Sequence, residues 1–227
     1  MSITKYLAKR ITNYNNPNSL GSWFRKRRAA GLMKMIEVVY SQKGAVNIID
    51  IGGTRAYWNI IENDYLVSKN SKVTLVNLTK TGCAEDNVFK EAIGDGRHLE
   101  FTDLSFDIAH SNSVIEHVGN WQDMVDFSKE VARVANRYFV QTPSFWFPVE
   151  PHAMFPLFHW LPILLRKKLV MKHALGNWQK AATEEDASRI VLSARLLTKK
   201  QMKRLFPSAA IHTEWLVFPK SYIAIKP

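Results

Sequence analysis

Apolar and polar residues follow two different periods along this chain, which predicts strands separated by helices. The segment VNIIDI (46–51) is almost continuously apolar and mostly β-branched, as in a central parallel strand covered on both faces. Further strands are predicted at 72–78, 87–93, 105–112 and 137–143. Apolar residues at helical spacing predict helices at 20–42, at about 55–66 and at about 121–135. This alternation predicts a doubly wound, mostly parallel sheet.

The C-terminal segment departs from that alternation. A helix is predicted from Thr198, followed by strands AIHTEWLVF (210–218) and SYIAIKP (221–227), which are close enough to pair antiparallel across the intervening Pro-Lys. The nine residues between Leu78 and Val88 are too few for a crossover helix, so we expect a loop or a single turn there. The fold class is therefore α/β, with seven strands, a C-terminal antiparallel pair and an N-terminal helical extension over about residues 1–44.

Length and composition narrow the class of protein. With 227 residues, 46% of them hydrophobic and 22% charged, the chain is expected to form a single domain over residues 1–227. The one cysteine, Cys83, cannot form an internal disulfide, and no Cys/His cluster has zinc spacing, so we expect a reducing cytoplasmic location and no metal. The basic N-terminus lacks the apolar stretch of a secretory signal, and the longest uncharged apolar stretch, 151–165, is too short to span a bilayer.

The formal charge of +11 indicates an anionic partner. Nucleic acid, a phosphorylated substrate and an acidic membrane surface all fit, and so does a basic surface with no partner. Basic residues cluster at 25–28 and at 166–168, the second cluster directly following the apolar stretch. Charge alone does not choose among these partners.

Two glycines, Gly52 and Gly53, follow the first strand and indicate either a tight turn or the close approach of a ligand to the backbone. The pattern does not fit a dinucleotide site, because Thr54 and Tyr57 stand where that site has further glycines. The Gly-Lys-Ser/Thr of a phosphate-binding loop is also absent. If a ligand approaches this turn, it is therefore of another kind.

Three motifs, each at the end of a predicted strand, carry a resemblance to a known family. They are VNIIDIGG (46–53), IGDGRHLEF (93–101) and FDIAHSNSVIEHVGNW (106–121). From about Val46 to Pro227 the sequence resembles the class I, Rossmann-like S-adenosylmethionine-dependent methyltransferases, and the third motif resembles those grouped as type 11. The resemblance implies an α/β methyltransferase with S-adenosylmethionine as its cofactor.

The resemblance also implies a set of cofactor-binding residues. Asp50 opens the glycine motif and suits a cofactor that carries an ammonium and a sulfonium. Asn77 ends the second strand, where many relatives bind the ribose with an acidic residue, so we expect Asn77→Asp to tighten binding. Asp95 would accept from the adenine amine, and Ser111 with Asn112 would face the methyl-transfer cleft. The implied set is Asp50, Gly52, Gly53, Asn77, Asp95, Gly96, Ser111 and Asn112.

The segment from about 143 to 195 is predicted to be an acceptor-binding insertion or lid, since relatives carry such insertions after the fifth strand. Its many aromatic residues could stack on an acceptor or simply pack the lid. Its PVEPH motif (148–152) places Glu150 and His152 two residues apart on a loop stiffened by proline. An oxygen acceptor benefits from a general base, and imidazole has a suitable pKa. The catalytic candidates are His152, then His117, with Glu150.

The acceptor is predicted from a looser resemblance. The FPVEPH and FPLFHWLP segments (147–152, 155–162) resemble methyltransferases of bacterial cell-surface polysaccharide and glycolipid synthesis, which implies a sugar hydroxyl of a glycan or lipid-linked glycan. The apolar and then basic segment 154–173 would either contact an anionic membrane at its inner face or cover the protein's own cleft.

Three alternatives stay open. The first is a methyltransferase of RNA or another nucleic acid, favoured by charge, although the chain lacks the Asp/Asn-Pro-Pro-aromatic motif of the base-amine enzymes. The others are a small-molecule methyltransferase and a non-catalytic cofactor-binding scaffold.

Overall fold

The protein forms one seven-stranded sheet with helices on both faces. The structure, a computed structural model, describes residues 20–227, and of Leu20 only the backbone. The strands are β1 (Val46–Ile51), β2 (Ser71–Asn77), β3 (Phe89–Ile93), β4 (Phe106–Asn112), β5 (Ala135–Pro143), β8 (Ala210–Leu216) and β9 (Phe218–Lys226). Two short strands, β6 (Val149–Glu150) and β7 (Phe155–Pro156), pair with each other outside the sheet.

The strand order is β3-β2-β1-β4-β5-β9-β8. The first five strands are parallel, and β9 runs antiparallel to both β5 and β8. The fold class predicted from the sequence is confirmed. Because the parallel strands end at one edge, the segments after β1, β2, β4 and β5 come together there, as the strands of ligand-binding α/β sheets do.

Helices cover the sheet on two sides. In chain order, the helices of the protein are α1 (Leu20–Lys43), α2 (Arg55–Trp58), α3 (Asn63–Ser68), α4 (Trp121–Val134), α5 (Ile163–Lys172), α6 (Glu184–Leu192) and α7 (Lys199–Leu205). Of these, α5 and α6 pack in the segment after β5 and not on the sheet. Residues of α1, α2 and α3 pack with β1, β2 and β3 in one core, which includes Ile48, Trp58 and Leu66. Residues of α4 and α7 pack with β4, β5 and β9 in a second core on the other side, which includes Phe127 and Met202. The candidate N-terminal extension over about 1–44 is described only from residue 20, where it is helical.

Two local predictions need correction. The helix predicted at about 55–66 is two short helices, because the turn after Trp58 is closed by the Ile61 amide donating to the Trp58 carbonyl (2.9 Å), which buries Ile61 in the core. The C-terminal hairpin turns at Val217, which has a positive φ of 61°, and not at Pro219 and Lys220, which belong to β9. The connection between β2 and β3 is irregular, as predicted.

The segment after β5 forms a small layer with its own core. Phe158, Val170, Leu175 and Val191 are buried together there, between the β6–β7 pair and helices α5 and α6. Some aromatic residues of this segment therefore pack its core, whereas Trp146 and Trp160 stay exposed. Among the described residues, no helix has the length and apolar character needed to cross a membrane.

Candidate functional site

The glycine turn after β1 is shaped by the protein's own side chains. Asp50 is fully buried, and its two carboxylate oxygens accept hydrogen bonds from Trp58 Nε1 and His110 Nδ1, each at 2.7 Å. A Cβ at Gly53 would lie 2.5 Å from Asp50 Oδ1 and closer still to Oδ2. Gly53 is therefore required by the position of the Asp50 carboxylate. Asp50 supports the turn from beneath with both oxygens already engaged.

Gly52 is required for a different reason from Gly53, namely its backbone conformation and the nearby Val114 side chain. Its φ is +75°, a region that residues with a Cβ rarely adopt, and a Cβ there would lie 2.5 Å from a methyl group of Val114. Its amide donates to the Val76 carbonyl at 2.7 Å, which ties the turn to β2. The two glycines thus bring the backbone to the sheet edge with no side chain projecting from the turn.

A cavity of about 480 Å³ opens beside this turn. It extends from the glycine turn across the end of β4 to the lid segment, the start of β9 and helix α1. Its walls include Gly52, Gly53, Tyr57, Asn112, Gln141, Phe147, Met154 and Lys220. A cavity of this size, at the carboxyl ends of parallel strands, has the dimensions and place of a small-ligand site.

Several polar groups of the cavity wall have unused hydrogen-bonding capacity. Among the described residues, the Tyr57 hydroxyl and His110 Nε2 are buried without a hydrogen-bond partner. Burial raises the pKa of Tyr57 to about 12, so its hydroxyl stays protonated at neutral pH and can donate. Asn112 Oδ1 accepts from Arg28 at 2.8 Å, which fixes the amide at the end of β4. Buried polar groups of this kind are normally satisfied, so these atoms favour a polar ligand.

Lys220 is a cavity residue that the sequence did not identify. It lies at the start of β9, 4.3 Å from the centre of the Phe24 ring. Burial, with the charge of Arg28, lowers its pKa to about 8, and Glu214 opposes the shift. An amine with this pKa is partly neutral near physiological pH and can accept a proton. Because the sequence predicted Lys220 in the hairpin turn, no pattern indicated that it would line a cavity.

Of the other predicted cofactor residues, Asn77 and Asn112 have side chains at the strand ends, whereas Ser111 does not face the cavity. Asn77 lies at the end of β2, and its Nδ2 donates to the Gly53 carbonyl at 2.8 Å, leaving the side-chain oxygen to accept from a ligand. This contact reverses the expectation for Asn77→Asp, since a carboxylate cannot donate to that carbonyl. Ser111 is buried on the opposite face of β4, where its hydroxyl donates to Ile51. Ser111 therefore does not face the cleft, whereas Asn112 does.

The predicted adenine segment is held by its own contacts. Arg97 forms a bidentate ion pair with Asp95, with Nη2–Oδ2 and Nε–Oδ1 distances of 2.6 and 3.0 Å, and this lowers the pKa of Asp95. A Cβ at Gly96 would lie 2.7 Å from Ile51 Cγ2 and 2.8 Å from Phe127 Cε2. Gly96 is thus a packing requirement, and Asp95 would share its oxygens between Arg97 and any ligand.

The three catalytic candidates form a chain of close polar contacts beside the cavity. Glu150 Oε1 lies 2.6 Å from His152 Nδ1, and His152 Nε2 lies 3.0 Å from His117 Nε2. His117 Nδ1 in turn donates to the Ser193 carbonyl at 2.7 Å. Burial by itself lowers the pKa of His152, but the hydrogen bond and charges of Glu150 and Glu116 outweigh it, and the pKa is raised. The structure brings the three residues together, although the neighbouring Pro151, and not His152, lines the cavity.

Glu116, which with His117 opens the turn after β4, lies beside this chain, with a ligand atom within 4.8 Å of those of His117 and His152. It is 1% exposed, and burial raises the pKa of its carboxyl group. Its Oε2 accepts from the Thr142 hydroxyl at 3.0 Å, whereas Oε1 has no partner among the described residues. Only the fold reveals this cluster, because Glu116 and His117 follow β4 and His152 follows β6.

Comparison with protein families gives the domain its class. Residues 53–137, from the second glycine of the turn into β5, match the family model of a methyltransferase domain. The chain is an S-adenosylmethionine-dependent methyltransferase. The match spans a little over a third of the chain and includes the predicted motifs at 93–101 and 106–121, but only the last residue of the motif at 46–53. No curated protein matches the chain.

Solved structures with a related arrangement include an S-adenosylmethionine-dependent methyltransferase from Methanosarcina mazei, with 16% identity, 80% of this chain and 91% of that chain covered, and a TM-score of 0.48. A protein from Pyrococcus horikoshii has 14% identity, 97% of both chains covered and a TM-score of 0.48. Human N-acetylserotonin methyltransferase in complex with S-adenosylmethionine has 12% identity and a TM-score of 0.48, and the match covers 79% of this chain and 47% of that chain. Likenesses this distant carry no argument about the acceptor.

The residues of this methyltransferase fit its cofactor, S-adenosylmethionine. The side-chain-free turn at Gly52 and Gly53, the unpartnered Tyr57 hydroxyl and the side-chain oxygen of Asn77 lie where strands β1 and β2 end. The cofactor supplies a methyl group already activated by its sulfonium. The protein's own task is to hold this group in line with the acceptor atom and to exclude water.

Proposed function

We propose that this methyltransferase acts on a hydroxyl group of a glycan or lipid-linked glycan, at the surface of an anionic membrane. The observation that carries the proposal is the cavity that joins the glycine turn to Lys220. Asn112, Ser113 and Gln141 supply hydrogen-bonding groups for sugar hydroxyls along its floor. Phe147 and Met154 supply an apolar wall for a ring face or a carrier.

Lys220 is the proposed proton acceptor. A hydroxyl that becomes methylated must lose its proton, and a base within the same cavity can take it. Lys220 shares the cavity with the glycine turn, and its lowered pKa leaves a neutral amine available near pH 8. His152 stays the prediction from sequence for this role, but both of its ring nitrogens already have partners, Glu150 and His117.

The surface around the cavity supports a membrane-bound acceptor. The tip of the β8–β9 hairpin exposes apolar side chains, with Val217 89% exposed, and its neighbour Leu216 lines the cavity. A second exposed apolar group lies at the start of α5, where Leu164 is 70% exposed, and Arg166, Lys167 and Lys168 follow it directly. Apolar side chains flanked by cations are typical of segments that lie in a bilayer interface.

The acceptor class is tested by labelling. The protein is incubated with S-adenosylmethionine carrying a radiolabelled methyl group and a bacterial extract, and lipid, saccharide, RNA and protein fractions are separated. We expect label in the lipid or saccharide fraction, and its loss in Lys220→Met. Label confined to RNA or protein would refute the glycan acceptor.

Membrane contact is tested by flotation with anionic and neutral liposomes. We expect binding to anionic vesicles that falls with salt and falls again when Arg166, Lys167 and Lys168 are made neutral. Val217→Ser should also weaken binding, whereas Val67→Ser, at a 52% exposed position on α3, serves as the matched control. Absence of flotation at low salt would reject the membrane surface.

A nucleic-acid acceptor is the second candidate. Helix α7 exposes a basic group formed by Lys199, Lys200, Lys203 and Arg204, and such clusters bind phosphates. None of these residues lines the cavity at the glycine turn. The labelling experiment separates this candidate from the first, since it would place the methyl group in RNA.

A further inference from the structure

The rings of His117 and His152 meet in an arrangement that two neutral imidazoles cannot sustain by themselves. His117 Nδ1 lies 2.7 Å from the Ser193 carbonyl, which only accepts, so this nitrogen carries its hydrogen. His152 Nδ1 lies 2.6 Å from Glu150, whose carboxylate also accepts the His152 backbone amide at 2.9 Å. With both Nδ1 atoms donating, two Nε2 lone pairs face each other at 3.0 Å. Either a proton on one of the rings or a metal cation must therefore lie between them.

A third donor atom completes the group. The ligand atoms of Glu116, His117 and His152 all lie within 4.8 Å of one another. Glu116 Oε1 is buried and has no hydrogen-bond partner among residues 20–227, which is costly for a carboxylate unless a cation satisfies it. This orphaned oxygen is an observation independent of the histidine pair, and it indicates the same ligand.

We propose that Glu116, His117 and His152 bind one divalent transition-metal ion of the zinc type. Two imidazoles and one carboxylate are a donor set that such ions use, with three protein ligands and one open position. Metal–nitrogen bonds of about 2.0–2.1 Å in tetrahedral geometry separate two nitrogen ligands by about 3.3 Å, close to the observed pair. The exposure of His117 gives the ion a path from solvent.

Neighbouring groups already fix the orientation of both histidine rings, as the ligands of a metal site require. Metal-binding histidines usually donate their other ring nitrogen to a carboxylate or a backbone carbonyl, which fixes the ring and its tautomer. Glu150 does this for His152, and the Ser193 carbonyl does it for His117. The ring of Trp178 also stacks on His152, with 6.0 Å between centroids and 11° between planes.

The proposed ion would connect two separate parts of the chain. Glu116 and His117 lie in the turn after β4, and His152 lies in the lid segment after β6. Pro151 and Met154, on either side of His152, line the cavity. Metal binding would therefore fix this wall of the cavity to the sheet edge. The site stands whether or not the acceptor is a glycan, because its argument uses none of the acceptor contacts.

The experiment uses the full-length protein, treated with a chelator, dialysed and titrated with Zn²⁺ by calorimetry and with Co²⁺ by visible absorption. We expect one equivalent of either metal, with a tetrahedral Co²⁺ spectrum. His117→Ala and His152→Ala should each weaken binding by at least about 100-fold, and Glu150→Gln by about 10- to 100-fold. His212→Ala, which removes an exposed histidine of β8, is the matched control and should bind as the wild type does.

Histidine modification of the unaltered protein makes the test independent of variant folding. Diethyl pyrocarbonate labelling followed by mass spectrometry should show His117 and His152 protected by Zn²⁺, and His212 labelled equally with and without it. The proposal is overturned if wild type binds no stoichiometric metal, if His117→Ala and His152→Ala bind as the wild type does, or if Zn²⁺ leaves their labelling unchanged. In those cases a shared proton is the cation between the rings.

Discussion

The clearest test of the glycine turn is Gly53→Ala, because the structure indicates which atoms the added methyl group would displace. Cβ of the alanine would occupy the space of the Asp50 carboxylate, which would have to move and give up its bonds to Trp58 Nε1 and His110 Nδ1. Each hydrogen bond to a charged group contributes about 1.5–3 kcal/mol. Loss of both would lower the free energy of unfolding by about 3–6 kcal/mol.

The measurement is urea unfolding followed by circular dichroism, with S-adenosylmethionine affinity measured by calorimetry on the folded variant. Gly82→Ala is the control for a glycine with open space around it, and its positive φ of 76° adds a backbone strain that Gly53 does not have. The control should lose about 1–2 kcal/mol, from backbone strain alone. A loss in Gly53→Ala no larger than in the control would refute the steric argument.

A double variant tests whether the Asp50 carboxylate causes the loss of stability in Gly53→Ala. In the Asp50→Ala background the carboxylate is absent, so adding Gly53→Ala should cost less than about 1 kcal/mol more. If the two single losses simply add, Gly53 is constrained by something other than Asp50. This outcome would return the glycine to the earlier interpretation, in which a ligand needs the space.

Three further predictions concern the cavity and its rim. The turnover of the wild type should rise with pH to a plateau above about 8, because burial lowers the pKa of Lys220 to about 8 and only its neutral amine accepts a proton. Lys220→Met should lower turnover about 100-fold or more and abolish the rise, and a flat wild-type profile would exclude Lys220 as the base. Asn77→Asp should weaken cofactor binding by about 1–2 kcal/mol in calorimetry, since the donor to the turn carbonyl is lost, and tighter binding would show that the ribose contact dominates. Gly96→Ala should lower the free energy of unfolding by about 1–3 kcal/mol in urea, because its Cβ would press on Ile51 and Phe127, and unchanged stability would mean that this packing relaxes without cost.

The burial of Lys220 also makes the free energy of unfolding depend on pH. The ordinary pKa of a lysine, 10.5, applies to the unfolded chain, and the folded value is about 8. Between these values the unfolded state binds more protons, so the free energy of unfolding should rise with pH over that range. Lys220→Met should remove this part of the rise, and a variant with the same pH dependence as the wild type would contradict the burial of the amine.

The sequence alone determined the fold class and the chemistry of the cofactor. The apolar run at 46–51, the period of the following segments and the short C-terminal strands were enough for a parallel sheet with an antiparallel pair, because these patterns record which faces are buried. The motifs at 46–53, 93–101 and 106–121 indicated a methyltransferase through their resemblance to that family, and residues 53–137 match its domain model.

Only the tertiary structure decided what individual side chains do. Asp50 lines the cavity, and its oxygens accept from Trp58 and His110, a pairing that depends on how α2 and β4 pack. Lys220 came into the cavity because the hairpin turns earlier than its sequence suggests. His117 and His152 are 35 positions apart in sequence and 3.0 Å apart at their nitrogens. Contacts of this kind depend on how elements dock, which no local period encodes.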